Sequence, residues 1–439
     1  MSKPFALLAA TLAAAVAAAA GLAAQQPRIT NARVTPQAAG PGLSQTFRGL
    51  VASRSEVAWI GYRVPVVDSD RIMCCFDSRT TWTGGSVVTS DSRGCCGVCR
   101  IEPAGDGSAM ATRSESGTNQ VRLSSSDRMI VLFRIADRMV DRIRVFSEDC
   151  ELDAGGRPVT WLEDVQPAES VALLESLASG AEPARRDRVA EGAVSAIALH
   201  GDTAADGALA RLVAPGLPST LRRKVTFWLG NARGASGLAL LQRLLRDDPD
   251  PDVQKGAVFG VSQSREPGAF DVLAGLARQH ASARVRSEAV FWIAQTRDER
   301  AAPIILQALE EDASAEVRKK AVFALSQLPG DAGTEALLRT ARASPDPATR
   351  GEAIFWLGQK AGARAAAALT ERIEQDPATD VKKKAVFALS QLPPEEGIPL
   401  LIQVARTNTN PAVRKQAMFW LGQSKDPRAI EFFAEVLAK

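Results

Sequence analysis

The stretch VRKKAVFALSQLP, Val317 to Pro329, returns as VKKKAVFALSQLP at Val381 to Pro393, 64 residues later and with a single Arg-to-Lys exchange. Aligning on its first residue gives starts at Leu221, Val253, Val285, Val317, Thr349, Val381 and Val413, each 32 residues after the last, with a weaker copy from Val189. Counting the start as position 0, position 6 is Phe in every strong copy: Phe227, Phe259, Phe291, Phe323, Phe355, Phe387 and Phe419. Position 10 is an amide: Asn231, then Gln263, Gln295, Gln327, Gln359, Gln391 and Gln423. A catalytic site is assembled once, from single residues. A register kept this long marks a structural unit that hides its apolar face only by stacking on copies of itself.

Each unit reads as a helix of about twelve residues, a turn, a second apolar helix such as AAPIILQALEE, and an acidic or Pro-containing loop such as DDPDPD. At 100° per residue, positions 0, 4, 7, 8 and 11 of the first helix form one stripe, expected to face the partner helix. Position 4 is Ala in all strong copies but the first, which lets the two helices approach. Position 7 alternates as Trp228, Gly260, Trp292, Ala324, Trp356, Ala388 and Trp420, so the true period is a pair of repeats, with large beside small to fill volume. The Phe column is expected to be a packing ladder between repeats, the alternative being an exposed aromatic strip. The amides are expected to bond across layers.

The segments DPDPDVQKGAV, DASAEVRKKAVFALSQ and NPAVRKQAMFWLGQ resemble the short bacterial form of the HEAT-repeat family, an acidic loop followed by Val-Arg-x-x-Ala-x-x-x-Leu-Gly. The repeats are also similar to those of phycobilin lyases. The resemblance covers about residues 189–439, or about eight repeats, and implies a right-handed superhelix whose first helices line the concave face. It also implies that the position 1 Arg ties loops together through acidic residues. As for function, it implies a scaffold used mostly to bind other macromolecules.

Upstream the texture differs. Lys3, an Ala-rich apolar run from Phe5 to Leu22 and small residues through Ala24 have the plan of a secretory signal peptide over 1–24, with retention as an uncut anchor the alternative. Residues 25–42 are polar and rich in Pro and Gly, as in a linker. Short β-branched and aromatic runs (57–67, 71–76, 98–101, 129–135 and 139–146), broken by Gly, Ser and Asp, predict a mainly-β domain over 43–164. A connecting or capping helix is expected over 165–188. The fold class is therefore α+β multidomain, a small mainly-β N-terminal domain followed by an all-α HEAT-like superhelical solenoid.

All six cysteines, Cys74, Cys75, Cys95, Cys96, Cys99 and Cys150, precede residue 151. In an exported chain an even, confined set is expected to form disulfides. The rival reading is zinc, but the spacing is wrong for a knuckle and the segment has no His. Export places the protein in the periplasm or outside the cell.

With 53 Lys and Arg against 50 Asp and Glu, the overall charge gives no reason to expect nucleic acid. Locally, positions 1 to 3 of the repeats are strongly basic. Arg223, Lys255, Lys319, Lys383 and Lys415 at position 2 are placed to form a basic ridge on the concave face, suited to a protein partner or an acidic extended ligand. A solvated face balanced by loop acids is the plainer alternative. His200 and His280 are the only histidines, and both are read as ordinary surface or helix-end residues. No His-Glu or Gly-Lys dipeptide occurs, which removes the iron sites of the HEAT-like hydroxylases and the phosphate loop. No catalytic residue, cofactor or metal is expected, nor any membrane span once the signal is cleaved. The first functional reading is an exported, non-enzymatic interaction scaffold. Its rivals are an enzyme, lyase- or hydrolase-like, with its chemistry in the N-terminal domain and the solenoid as substrate cradle, and a signalling or envelope-stress module held at the membrane by its N-terminus.

Overall fold

The structure is a computed structural model that describes residues 27–40, 42–71, 94–96, 99–102, 120–122, 126–180, 183–360 and 362–438. It divides into two units, Met1–Ala208 and Leu209–Lys439.

The centre of the first unit is a five-stranded sheet in the order Val34–Ala38, Val159–Glu163, Ala58–Pro65, Arg128–Ala136, Met139–Ser147. The first three strands run parallel and the last three antiparallel. The runs expected at 129–135 and 139–146 pair as a hairpin. Asp137 and Arg138 both take positive φ, 53° and 59°, as a two-residue turn that follows the strand twist requires. One sheet face packs Trp59, Ile130, Leu132, Phe146 and Trp161. Phe47, Tyr62 and Phe133 form an aromatic cluster, with Phe47 and Phe133 ring centres 4.8 Å apart. The Tyr62 hydroxyl, bonded to Ser170 Oγ at 2.9 Å, is fully buried, which pushes its pKa upward.

Four expectations need correction. Residues 29–38, read as a linker, instead carry two strands, because alternating β-branched residues there find unpaired edges at Leu152–Asp153 and Val159–Glu163. Residues Leu43–Ser53, read as the start of a β domain, form a helix that buries Leu43 and Phe47. The weak repeat copy from Val189 belongs to the first unit, where the helix Pro183–Leu199 packs on the strand Met139–Ser147 with Gly192 against the Ile143 carbonyl. His200, at the end of that helix, is fully buried rather than on the surface. Of the cysteines, Cys150 is buried and disulfide-bonded. Cys74 and Cys75 lie outside the described residues, as do the side chains of Cys95, Cys96 and Cys99.

The second unit is a stack of seven helix pairs. The first helices are Ser219–Ala232, Pro251–Ser262, Ala283–Gln295, Ala315–Gln327, Pro347–Lys360, Thr379–Ser390 and Pro411–Gln423. The second helices are Gly234–Asp247, Ala269–Gln279, Ala301–Glu311, Asp331–Ala343, Gly362–Gln375, Pro394–Thr407 and Pro427–Leu437. First helices of neighbouring repeats approach one another more closely than second helices do, so the stack curves toward the first-helix row. Positions 0, 4 and 8 are buried as expected, as Val317, Ala321 and Leu325 show in repeat 4, and position 7 is buried in repeats 1, 2, 4 and 6, at Trp228, Gly260, Ala324 and Ala388. Position 5 joins the stripe, with Val322 fully buried, because the packed surface extends round to its 140° direction.

Position 1 of repeats 1, 3 and 5 locks its layer to the next. Arg286 grips Asp312 through two bonds of 2.7 and 2.9 Å and also donates to the His280 and Ala281 carbonyls of the preceding loop. Arg350 does the same with Asp376 and the Ser344 and Pro345 carbonyls, and Arg222 pairs with Asp248. The acid also turns its own loop, since Asp312 and Asp376 accept the N–H groups of Ser314 and Ala378. His280 holds this loop position in repeat 2, its Nδ1 accepting from Ser282 N, so its role is that of the aspartates elsewhere.

Candidate binding face of the repeats

The two kinds of repeat pack with two spacings. Repeats 1 and 2, 3 and 4, and 5 and 6 bring their first helices close together, whereas the junctions 2/3, 4/5 and 6/7 are wider. At the close junctions small residues meet: Gly230 abuts the Gly260 carbonyl, and a Cβ on Gly358 would stand 2.8 Å from Ala388 Cβ. At the wide junctions a tryptophan fills the gap. Trp292, Trp356 and Trp420 lean on Phe259, Phe323 and Phe387 of the preceding repeat, with ring centres 4.7, 4.8 and 5.0 Å apart. The 64-residue period of the sequence is thus a period of layer spacing.

The Phe column runs the length of the stack. Phe227 and Phe259, Phe291 and Phe323, and Phe355 and Phe387 stack across the close junctions at 5.8, 5.9 and 6.1 Å. The rings are a ladder, as expected, yet they stay half-buried, because position 6 lies opposite the buried stripe on the first-helix face. Phe419, at the last rung, is 52% exposed. Three of the amides do not follow expectation. Gln263, Gln327 and Gln391 donate to the serine one residue before each, Ser262, Ser326 and Ser390, within their own helix, because a position 9 hydroxyl is nearer than the next layer.

Beside the rings stand the basic residues of position 2. Arg223, Lys255, Lys319 and Lys415 are exposed and Lys383 is half-buried. They do not form an unbroken row, since repeats 3 and 5 have Ser287 and Gly351 at this position. Lys255 pairs with Glu288 at 3.1 Å and Lys319 with Glu352 at 3.8 Å, each glutamate lying 33 residues on. Lys383 pairs with Asp380 at 3.8 Å on its own helix. Arg223 and Lys415 make no ion pair among the described residues. Position 3 is Glu288 and Glu352 in repeats 3 and 5 but Lys224, Lys320 and Lys384 in repeats 1, 4 and 6, so the acids of this column are confined to two layers. Lys320 lies over the Phe291 ring at 5.4 Å, which joins the basic and aromatic columns. The Lys-to-Glu spacing of 33 was readable in the sequence as a neutralising pattern.

Two cavities open between repeats on the same edge of the stack, at wide junctions. One, of about 300 Å³, is lined by Ser264, Pro267, Ala269, Phe270, Thr296 and Arg300 among others. The other, of about 250 Å³, is lined by Leu392, Gly397, Leu401, Trp420, Gln423 and Ser424 among others. Among the described residues no helix is long and apolar enough to cross a membrane.

No curated protein matches this sequence. Among solved structures, human deoxyhypusine hydroxylase in complex with glycerol is 16% identical, with 58% of this chain and 96% of that one covered and a TM-score of 0.26. The Escherichia coli protein YibA is 21% identical over 53% of this chain and 86% of its own, with a TM-score of 0.35. Yeast importin-β is 11% identical over 62% and 43%, with a TM-score of 0.39. The family model described as HEAT repeats matches residues 215–290, 275–358 and 366–439. Its three matches fall on the seven stacked helix pairs, and through them the chain belongs to the HEAT-repeat family.

Proposed function

We propose that this protein is a non-enzymatic interaction scaffold, carried out of the cytoplasm by its N-terminal segment, which binds an extended, acidic protein partner along the first-helix face of its repeats. The observation that carries this reading is the pairing of two columns on that face: half-buried phenylalanines, and exposed basic side chains at Arg223, Lys255, Lys319 and Lys415 with Lys383 beside them. Aromatic rings supply contact area at low entropic cost, and the cations beside them steer and align a chain of opposite charge.

The test is capture from cell-envelope extract with the wild-type protein and with a variant carrying Lys255→Glu, Lys319→Glu, Lys383→Glu and Lys415→Glu. Loss of the captured partner supports the ridge, and an unchanged capture rejects it. Sequencing the N-terminus of the mature protein tests export, which predicts a start near Gln25.

A further inference from the structure

Position 11 of the first helix, at the mouth of each wide junction, is Thr296 in repeat 3, Lys360 in repeat 5 and Ser424 in repeat 7. Lys360 folds its ammonium group back across the 4/5 junction. Nζ donates to the Leu328 carbonyl at 2.6 Å and lies 3.0 Å from where a Cβ on Gly333 would be. That notch is therefore shaped to take a primary ammonium group on an alkyl stem.

Sixty-four residues on, the same backbone positions recur as Leu392, Gly397 and Ser424, and they line the cavity of about 250 Å³. Ser424 is too short to fill it, and its hydroxyl is engaged by the Asp426 N–H at 3.1 Å. Next in sequence to Gly397 of the cavity wall, Glu396 Oε2 is a buried acceptor that lacks a partner among the described residues. The residue equivalent to Glu396 in repeat 4 is Ala332, so a carboxylate appears at the one of these two junctions that lacks its own lysine. At the 2/3 junction Arg300 itself lines the cavity and stacks on Phe270 at 4.1 Å, whereas its equivalent in repeat 7, Arg428, is turned to Asp426 and the Pro394 carbonyl and does not line the 6/7 cavity.

We propose that the cavity between repeats 6 and 7 receives a primary ammonium group on an alkyl chain, delivered by a lysine side chain of a partner, with the Leu392 carbonyl and Glu396 as its acceptors. The site is separate from the basic ridge, and its test does not involve the ridge.

The probe is n-butylammonium chloride, titrated into the full-length protein while the Trp420 indole N–H resonance, assigned with Trp420→Phe, is followed; n-butanol and sodium chloride are controls. A saturating shift with the amine alone is expected, weakened about tenfold by Glu396→Gln, as loss of one charge-assisted bond implies. Ser424→Lys, which copies Lys360 into the site, is expected to abolish it. An equal shift with butanol, or one that survives Ser424→Lys, overturns the proposal. An acetylated and amidated Gly-Lys-Gly peptide should bind at least as tightly as the amine; binding of the amine but not the peptide overturns the lysine source. A second arm guards against misfolding of Ser424→Lys. Lys360→Ser should lower the melting temperature, and butylammonium should restore it more than it raises the wild type; no such difference overturns the notch chemistry.

Discussion

Gly230 lies so close to the Gly260 carbonyl that no β-carbon fits between the first helices of repeats 1 and 2, whereas a β-carbon on Gly422, at the same position of repeat 7, would meet nothing nearer than the Phe433 ring at 3.9 Å. Gly230→Ala is therefore expected to force those helices apart and cost about 1–3 kcal/mol, in the range for overpacked sites. Gly422→Ala is expected to stabilise by roughly 0.5–1 kcal/mol, the helix propensity difference. Denaturant unfolding of the two variants checks the pair, and equal effects would contradict the two-spacing packing.

Arg350 and Asp376 form a buried two-pronged pair, with side chains 8% and 0% exposed. Asp376→Ala leaves the guanidinium buried without its anion and is expected to cost about 3–5 kcal/mol. The side chain of Asn408, the equivalent residue of repeat 6, accepts the Asn410 N–H in its own loop, and Asn408→Ala is expected to cost nearer 1 kcal/mol, as for loss of a cap. Thermal melts of both variants give the comparison.

The same pairs set the acid limit of the stack. The bond from Arg286 draws the Asp312 carboxyl below its ordinary range despite partial burial. Burial pushes Asp376 upward, but the bond from Arg350, the Ala378 N–H and nearby charges outweigh it, and the net direction is down. Both folded pKa values thus lie below the unfolded ones. Their stabilisation is complete above about pH 4 and is lost as pH falls through the lower folded values. Melting temperature measured from neutral pH to about pH 3 should fall more steeply for the wild type than for a variant with Asp312→Asn and Asp376→Asn, which starts lower.

Trp292 fills the 2/3 junction against Phe259. Trp292→Ala should open a cavity there and cost about 3–5 kcal/mol. Phe419→Ala, on the half-exposed last rung, should fall within about 0.5 kcal/mol of wild type. If chemical unfolding shows similar costs for the two, the rings are not the spacers of the wide junctions.

The repeats were legible in the sequence because stacking forces the same residue to meet the same environment every 32 positions, and the alternation of Trp228, Gly260, Trp292 and Ala324 announced the double period. The basic positions were legible for the same reason. That position 5 is buried beside the expected stripe, that Lys255 and Lys319 find Glu288 and Glu352, and that Lys360 crosses a junction which Ser424 leaves open were decided only by the packing of one layer on the next. In the first unit the sequence announced the runs 129–135 and 139–146, which pair as neighbours, and missed the strand Val34–Ala38, whose partner Val159–Glu163 lies more than a hundred residues away. Local pattern determines which residues must be hidden; which surface hides them depends on distant residues meeting, and only the tertiary structure brings them together.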